Sequence, residues 1–209
     1  MNILIADDHS IVRRGLVQIL KEEFPDAYCS EVSDGFELLR NIHERNWDII
    51  ITDISMPGKN GIDAIKDLKA QSSLSPILVL SIYPENQYAM RVLKSGASGY
   101  ITKDSAPAEL IKAVRTILKG KKYISHEMAQ YLLEAVSSGT TEYPHDALSD
   151  REFLVLKMIA SGKSLSDIAD ELSISINTVS TYKSRILGKL KMSSNAELTQ
   201  YALSNNLIP

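Results

Sequence analysis

The sequence predicts a doubly wound α/β domain with a five-stranded parallel sheet, followed by a second, small all-α domain. Two observations carry the first half. Short apolar runs alternate with helical patterns five times over, and the runs around Ile49-Ile50-Ile51 and Ile77-Leu78-Val79-Leu80 are apolar throughout rather than alternating. Continuous apolar runs mark strands covered on both faces, as in a parallel sheet. A third observation carries the second half: from Leu148 onward no strand pattern occurs, and four short helical patterns follow one another.

The predicted strands are Asn2–Ala6, Ala27–Val32, Asp48–Thr52, Pro76–Ser81 and Gly99–Thr102. Between and after them the predicted helices are Ser10–Glu22, Asp34–Glu44, Gly61–Ala70, Pro84–Ser95 and Pro107–Lys119. In the first of these Ile11, Leu16, Ile19 and Leu20 are assigned to one apolar side. Pro84 and Pro107 suit a first helical turn, where the missing N–H costs nothing. Alternating strands and helices of this kind wind into a parallel sheet through right-handed crossovers. Past Gly120 the pattern changes. Ser125–Ser137 is predicted as a lone helix with Met128, Leu132, Leu133 and Val136 on one stripe. Ser138–Asp146 has little apolar content and contains Gly and Pro, so it is predicted to be a linker. The predicted organisation is a first domain over 1–120, a helical linker over 121–147 and a second domain over 148–209.

Composition sets bounds. The chain has 209 residues, 44% hydrophobic and 23% charged, which is ordinary for a soluble globular protein. The net charge of -3 does not announce a nucleic-acid partner, so any basic surface must be local. The single cysteine, Cys29, makes no internal disulfide, and no Cys/His pattern has metal-ligand spacing. Asp7 and Asp8 interrupt the apolar start where a signal peptide would continue, and no apolar run is long enough to span a bilayer. These features predict a cytoplasmic protein without membrane contact.

The polar residues of the first domain fall at strand ends. Asp7 and Asp8 follow the first strand, Asp53 the third, Ser81 ends the fourth, and Lys103 follows the fifth. Ligands of open parallel sheets bind outside the carboxyl ends of the strands. With strand order 2-1-3-4-5, strands one and three are neighbours and the three acids converge. Clustered carboxylates repel unless a cation sits among them. Oxygen donors favour a hard ion such as Mg2+, and a lysine adds a second positive group. Metal, lysine and hydroxyl around an attacking carboxylate suit phosphoryl transfer.

Asp7-Asp8, Thr52-Asp53-Ile54-Ser55-Met56-Pro57-Gly58, Ser81 and Gly99-Tyr100-Ile101-Thr102-Lys103 resemble the signature of receiver domains, over roughly residues 1–120. The resemblance implies a flavodoxin-like fold with Asp53 as phosphoacceptor. It implies Mg2+ held by Asp8, Asp53 and the carbonyl of Ser55, with Asp7 in support. Ser81 and Lys103 would bind phosphate oxygens, and Ser81 and Tyr100 would be the switch, with Tyr100 turning inward on activation. His9 reads as a turn residue.

In the second domain Ser149-Asp150-Arg151-Glu152 is a capping box, Ser164–Asp167 opens a second helix, and Ile176–Leu190 is the third. Val179, Ile186, Leu187 and Leu190 are assigned to its inner side. Two helices joined by a short turn, the second longer, match helix-turn-helix geometry. The third helix has no acid from Ile176 to Lys191, so it can enter a major groove without repelling phosphates. Leu148-Ser149-Asp150-Arg151-Glu152, Ile168-Ala169 and Asn177-Thr178-Val179 resemble the LuxR-type DNA-binding domain, and with the receiver this is similar to two-component response regulators of the NarL/FixJ class. The family usually has a lysine after Thr178-Val179 and a histidine shortly beyond; here Ser180 and Tyr182 occupy those places and Lys183 follows. The resemblance implies DNA contacts from Thr178, Ser180, Thr181, Lys183 and Ser184, and dimerisation through Leu198, Tyr201 and Ala202 of the fourth helix. Implied partners are a sensor histidine kinase, promoter DNA, RNA polymerase and, once phosphorylated, a second copy of the chain. Two alternatives stand against a phosphorylation-controlled transcription factor. A receiver working without phosphorylation disagrees with the complete Asp8/Asp53/Ser81/Lys103 set. An aspartyl-phosphate hydrolase would want a second acid where Ser55 sits, so no enzyme is expected beyond self-phosphorylation and self-dephosphorylation.

Overall fold

The computed structural model describes residues 1–57, 61–70, 75–137 and 143–208. The chain divides into two compact units, Met1–Leu133 and Glu134–Pro209. Gly58, residues 138–142 of the predicted linker, and the side chains of Leu132 and Val136 lie outside the described residues. Among the described residues no helix is long and apolar enough to cross a membrane.

The first unit alternates strand and helix: β1 (Asn2–Ala6), α1 (Ser10–Glu23), β2 (Tyr28–Val32), α2 (Gly35–Asn41), β3 (Ile49–Asp53), α3 (Gly61–Ala70), β4 (Ile77–Ser81), α4 (Glu85–Lys94), β5 (Gly99–Thr102) and α5 (Ala106–Leu118). The strands form one parallel sheet in the order β2-β1-β3-β4-β5, as predicted. All five residues of β3 and of β4 are buried, the signature of strands covered on both sides. Because side chains alternate, Ile3, Ile5, Ile49, Ile51, Leu78 and Leu80 share one face. They pack with Leu16 and Leu20 of α1 and Leu110, Ala113, Val114 and Ile117 of α5. Leu4, Ile50 and Val79 alternate to the other face and are also fully buried.

Two apolar assignments fail for one geometric reason. Ile11 is 84% exposed and Leu133 is 69% exposed. Each stands five residues from the buried anchor it was grouped with, Leu16 and Met128, and five residues turn a helix about 140° past that anchor's face. Pro84 is the N-cap of α4 and Asp34 that of α2, so both helices begin one residue later than predicted.

The segment after α5 does more than link. Tyr123 makes a parallel bridge to Gly99 on the edge of β5, its N–H donating to Ser98 O at 2.8 Å. Gly99 must lack a side chain there, since a Cβ would lie 3.0 Å from Tyr123 O and 3.1 Å from Ile117. Ser125 opens α6 (His126–Ser137): its Oγ accepts from Met128 N–H and donates to Glu85 Oε2 at 2.5 Å. Ser125 and Met128 are both buried.

The second unit holds α7 (Asp150–Ala160), α8 (Leu165–Leu172), α9 (Ile176–Leu190) and α10 (Asn195–Ser204), preceded by a 3-10 turn, Pro144–Ala147, inside the predicted linker. Each helix begins on a serine that accepts a backbone N–H three residues on: Ser149, Ser164, Ser175 and Ser194. The turn between α8 and α9 is three residues long, with Ser173 in the left-handed region at φ 53°. Val179, Ile186 and Leu190 of α9 are buried, with Leu187 half-buried. His145 of the 3-10 turn is buried between Tyr143 and Phe153, and its Nδ1 lies 2.8 Å from the Tyr201 hydroxyl.

Glu152 ties α7 to α9. It is 3% exposed and takes the Lys189 ammonium at 2.6 Å while accepting the Ser149 N–H at 2.7 Å. Burial alone would raise its carboxyl, but the Lys189 and Ser149 hydrogen bonds outweigh that and hold it below the usual glutamate range. A depressed carboxyl stabilises the fold fully above the unfolded value of 4.5, and the stabilisation is lost as pH falls through the folded value. Glu152→Gln is therefore expected to lower the stability of this unit by about 1–3 kcal/mol at neutral pH, the range for a charge-assisted bond to a buried group. In urea titrations the difference between wild type and variant should shrink as pH drops below that value. A pH-independent difference would show that the charge is not what matters.

Candidate functional site

The parallel order puts the carboxyl ends of β1 and β3 side by side, with Ala6 in register with Thr52. Strand order reverses at that pair, so a crevice opens above it. Asp7 and Asp8 leave β1 into this crevice, and Asp53 ends β3 rather than following it. Asp7 and Asp53 are 1% and 2% exposed; Asp8 is open to solvent. One ligand atom each of Asp7, Asp8, His9 and Asp53 lies within 4.8 Å of the others.

Lys103, after β5, reaches back across the sheet end. Its ammonium lies 2.8 Å from Asp53 Oδ2 and 2.7 Å from Asp7 Oδ2. Two like charges 4 Å apart repel by about 4 kcal/mol at an effective dielectric of 20. One ammonium between two buried carboxylates offsets that repulsion. Burial still pushes the Asp53 carboxyl above its ordinary value, against the lowering by Lys103, with the Asp7 charge adding to the rise. For Lys103 burial pulls downward, but the bonds with Asp53 and Asp7 outweigh it and leave the ammonium above its ordinary value. The donors are hard oxygens, and Asp7 Oδ2 makes no hydrogen bond of good geometry despite its nearness to Lys103. This is the chemistry of a small divalent cation with oxygen ligands.

Three further residues border the site; His9 is read from the sequence as a turn residue, whereas Arg13 and Tyr83 are not singled out. The His9 N–H donates to Asp7 Oδ1 at 2.8 Å, and its Nδ1 lies 2.7 Å from Asp8 Oδ1. Its place directly after an acid pair is a signal, since such a turn closes on the first acid. Arg13 donates through Nη1 to Asp7 O at 2.6 Å. Tyr83 contacts three of the residues named above: its N–H donates to Ser81 Oγ at 3.2 Å, its hydroxyl lies 3.1 Å from Ser55 Oγ, and its carbonyl accepts the Tyr100 hydroxyl at 2.8 Å. The Tyr83 ring stacks on Tyr88 with centroids 4.5 Å apart.

Ser81 and Tyr100 are both fully buried. The resemblance implies that Tyr100 turns inward on activation; here its ring is inside, and its hydroxyl donates to Tyr83 O at 2.8 Å. Burial pushes the Tyr100 hydroxyl above its ordinary value, partly opposed by a hydrogen bond with Ser81. Ser55 donates its N–H to Asp53 Oδ1 at 3.2 Å, fixing one oxygen of that acid.

In the second unit the residues read as DNA contacts lie on α9. Ser180, Thr181 and Ser184 are exposed, and Thr178 and Lys183 are half-buried. Thr178 is occupied with the Ser175 cap at 2.8 Å, while Thr181 and Ser184 bond back to helix carbonyls. Asn177 and Arg185 are exposed on the same helix. Lys189 is drawn to Glu152 and Ala147 O instead. On α10, Leu198 and Ala202 are fully buried in their own unit and Tyr201 serves His145; Leu203 is 49% exposed.

Comparison with known proteins matches both halves. Residues 3–115 match the response regulator receiver domain, and residues 146–202 match the bacterial regulatory proteins of the luxR family. The chain is 32% identical to the response regulator UvrY of Escherichia coli, over 99% of this chain and 95% of that one. It is 37% identical to the oxygen regulatory protein NreC of Staphylococcus epidermidis, over 100% and 99%. Among solved structures, RcsB of Salmonella enterica bound to the promoter rprA with the phosphomimetic BeF3- superposes with a TM-score of 0.64 at 33% identity, covering 98% of this chain and 99% of that one.

Gly61, the first residue of α3, lies against the main chain that carries Asp53. A Cβ at Gly61 would sit 2.0 Å from Asp53 O, which is backbone and has little freedom to yield. Gly61→Ala is expected to cost about 1–3 kcal/mol of stability in urea unfolding of the first unit, the range for overpacking. An unchanged midpoint would show that α3 shifts without resistance.

Proposed function

The chain belongs to the response regulators that join a receiver domain to a LuxR-type helix-turn-helix domain, which are phosphorylation-controlled regulators of transcription, and from that premise we propose the roles of its residues. Asp53 is the phosphoacceptor. Its carboxylate attacks the phosphorus of a phosphohistidine on a sensor kinase. The P–O bond forms as the P–N bond breaks, and the departing imidazole takes up a proton. The observation that carries this assignment is the Lys103 ammonium, 2.8 Å from Asp53 and 2.7 Å from Asp7 at the crevice of the sheet. It is a fixed positive charge beside a buried acid on the side where charge grows during transfer.

Asp8, Asp53 and the carbonyl of Ser55 are the residues for Mg2+, with Asp7 in support. When bound, the ion neutralises phosphoryl oxygens and orients them for in-line attack. Lys103 and the Ser81 hydroxyl bind the transferred group. A phosphoryl group adds roughly -1.5 to -2 charge and three acceptor oxygens. Drawing Ser81 Oγ toward those oxygens takes it from the Tyr83 N–H, so the loop bearing the Tyr100 acceptor rearranges. That is the switch.

The domains are assigned as receiver 1–120, connector 121–147 and DNA-binding domain 148–209. α9 is the recognition helix, with Ser180, Thr181, Lys183 and Ser184 toward DNA and Thr178 holding its first turn. RcsB has been solved on DNA as dimers, and we assign this chain the same mode: a homodimer when phosphorylated, reading promoter DNA in the cytoplasm and recruiting RNA polymerase. Leu198, Tyr201 and Ala202 hold α10 in place, and pairing falls to its outer residues, Leu203 among them.

Asp53→Asn should take up no label from acetyl phosphate with Mg2+, and beryllofluoride should tighten DNA binding of wild type but not of the variant in mobility-shift titrations. Labelling of the Asn variant, or DNA affinity indifferent to beryllofluoride, would overturn the reading. Lys183→Ala should weaken binding to all duplexes and reduce the salt slope by about one.

A further inference from the structure

Resting on the phosphoacceptor reading of Asp53, we infer that Arg13 is a positioning residue that holds the Asp7–Asp8 turn in the conformation that receives the cation. Arg13 stands in the first turn of α1, just past the acid pair. It reaches back to the turn. Its Nη1 donates to the main-chain oxygen of Asp7 at 2.6 Å, and its Nε donates to Glu31 Oε2 at 3.1 Å on the neighbouring strand. Its side chain is only 16% exposed. Ile5 and Glu31 are in register across β1 and β2, so the guanidinium is braced by the sheet.

The need for such a brace follows from charge. Asp7, Asp8 and Asp53 bring three carboxylates into one crevice, and Lys103 reaches two of them. Repulsion on Asp8 acts to swing the turn outward. That motion rotates the peptide between Asp7 and Asp8, which carries the Asp7 carbonyl. Arg13 fastens that carbonyl at 2.6 Å, and the His9 N–H fastens Asp7 Oδ1 at 2.8 Å. A charge-assisted bond from a planar fork with two anchors resists rotation better than a single ammonium. The turn is thereby arranged before the cation arrives, and binding does not have to order it.

The sign of the effect separates this role from mere charge. Removing a positive group from beside an acidic pocket strengthens cation binding by Coulomb attraction. Removing a brace weakens it. We therefore expect Arg13→Gln in the full chain to raise the Kd for Mn2+, followed by the EPR signal of the free ion, by about 5- to 20-fold, equivalent to about 1–2 kcal/mol. Arg13→Lys, which keeps the charge but loses the fork, should fall in between. Glu31→Gln should shift Kd the same way by a smaller factor. Phosphorylation by acetyl phosphate in the Gln variant should be slow at limiting Mg2+ and return to the wild-type rate at saturating Mg2+. An unchanged or tighter Mn2+ Kd in Arg13→Gln overturns the inference, as does a rate deficit that persists at saturation. Wild-type chain labelled in parallel keeps the two readings apart: if it takes up no phosphate, the Asp53 assignment fails; if it does and Kd is unmoved, the Arg13 role alone fails.

Discussion

One lysine makes the first unit's crevice tenable. Asp7 and Asp53 are almost completely buried, on neighbouring strands, and both carboxylates meet the Lys103 ammonium. Buried charges of one sign persist only when a counter-charge is built in or an ion is taken up. The sheet supplies the counter-charge from its far edge, three strands from β1, and the reach is possible because every carboxyl end of a parallel sheet opens on the same side. The fold therefore fixes more than the acids' positions. It leaves three carboxylates facing one ammonium, with burial still holding Asp53 above its ordinary value.

The sequence disclosed the sheet and the pocket for the same reason. Apolar runs such as Ile49-Ile50-Ile51 have no amphipathic reading and are short and β-branched, which fits strands covered on both faces, and a polar residue ending such a run then sits at a strand end. Apolar runs do not give the strand order; on the order that the receiver resemblance implies, Asp7, Asp8, Asp53, Ser81 and Lys103 converge. What the sequence hid were contacts made by backbone. Tyr83 links Ser81, Ser55 and Tyr100 through its N–H, hydroxyl and carbonyl, and two of those three groups are present in every residue other than proline. Nothing in the identity of residue 83 announces them. Tyr123 was hidden likewise, because a single bridge to Gly99 leaves no periodic pattern. Ile11 and Leu133 were misassigned because a short helix was read as one broad stripe, when a five-residue spacing leaves the stripe.

In the second unit the helix starts were legible because serine caps are written in the side chains, and all four occur. The roles of polar residues along α9 were less so. A basic, hydroxyl-rich helix looks uniform in sequence, yet Lys189 is spent on Glu152 and Thr178 on the Ser175 cap. Interior demands claim residues from a face that composition alone would assign wholly to a ligand. The same holds on α10, where Leu198 and Ala202 are consumed by their own core. The buried His145, inside a segment that read as a featureless linker, gives the converse case: turn-forming composition says little about whether a residue is needed by the core it borders.

These threads meet at the start of α4. Ser81, Ile82, Tyr83, Pro84 and Glu85 are consecutive, and the first and third hold the buried hydroxyl network while the fifth holds Ser125. Pro84 fixes the backbone between them, as the N-cap with φ -60°. The five residues are thus a short path with a polar grip at each end. One end lies beside the acids; the other grips the serine that caps α6, whose Oγ also receives the Met128 N–H. The crevice and the serine that caps α6 are therefore linked by a stretch of five residues, through contacts made by Ser81, Tyr83 and Glu85.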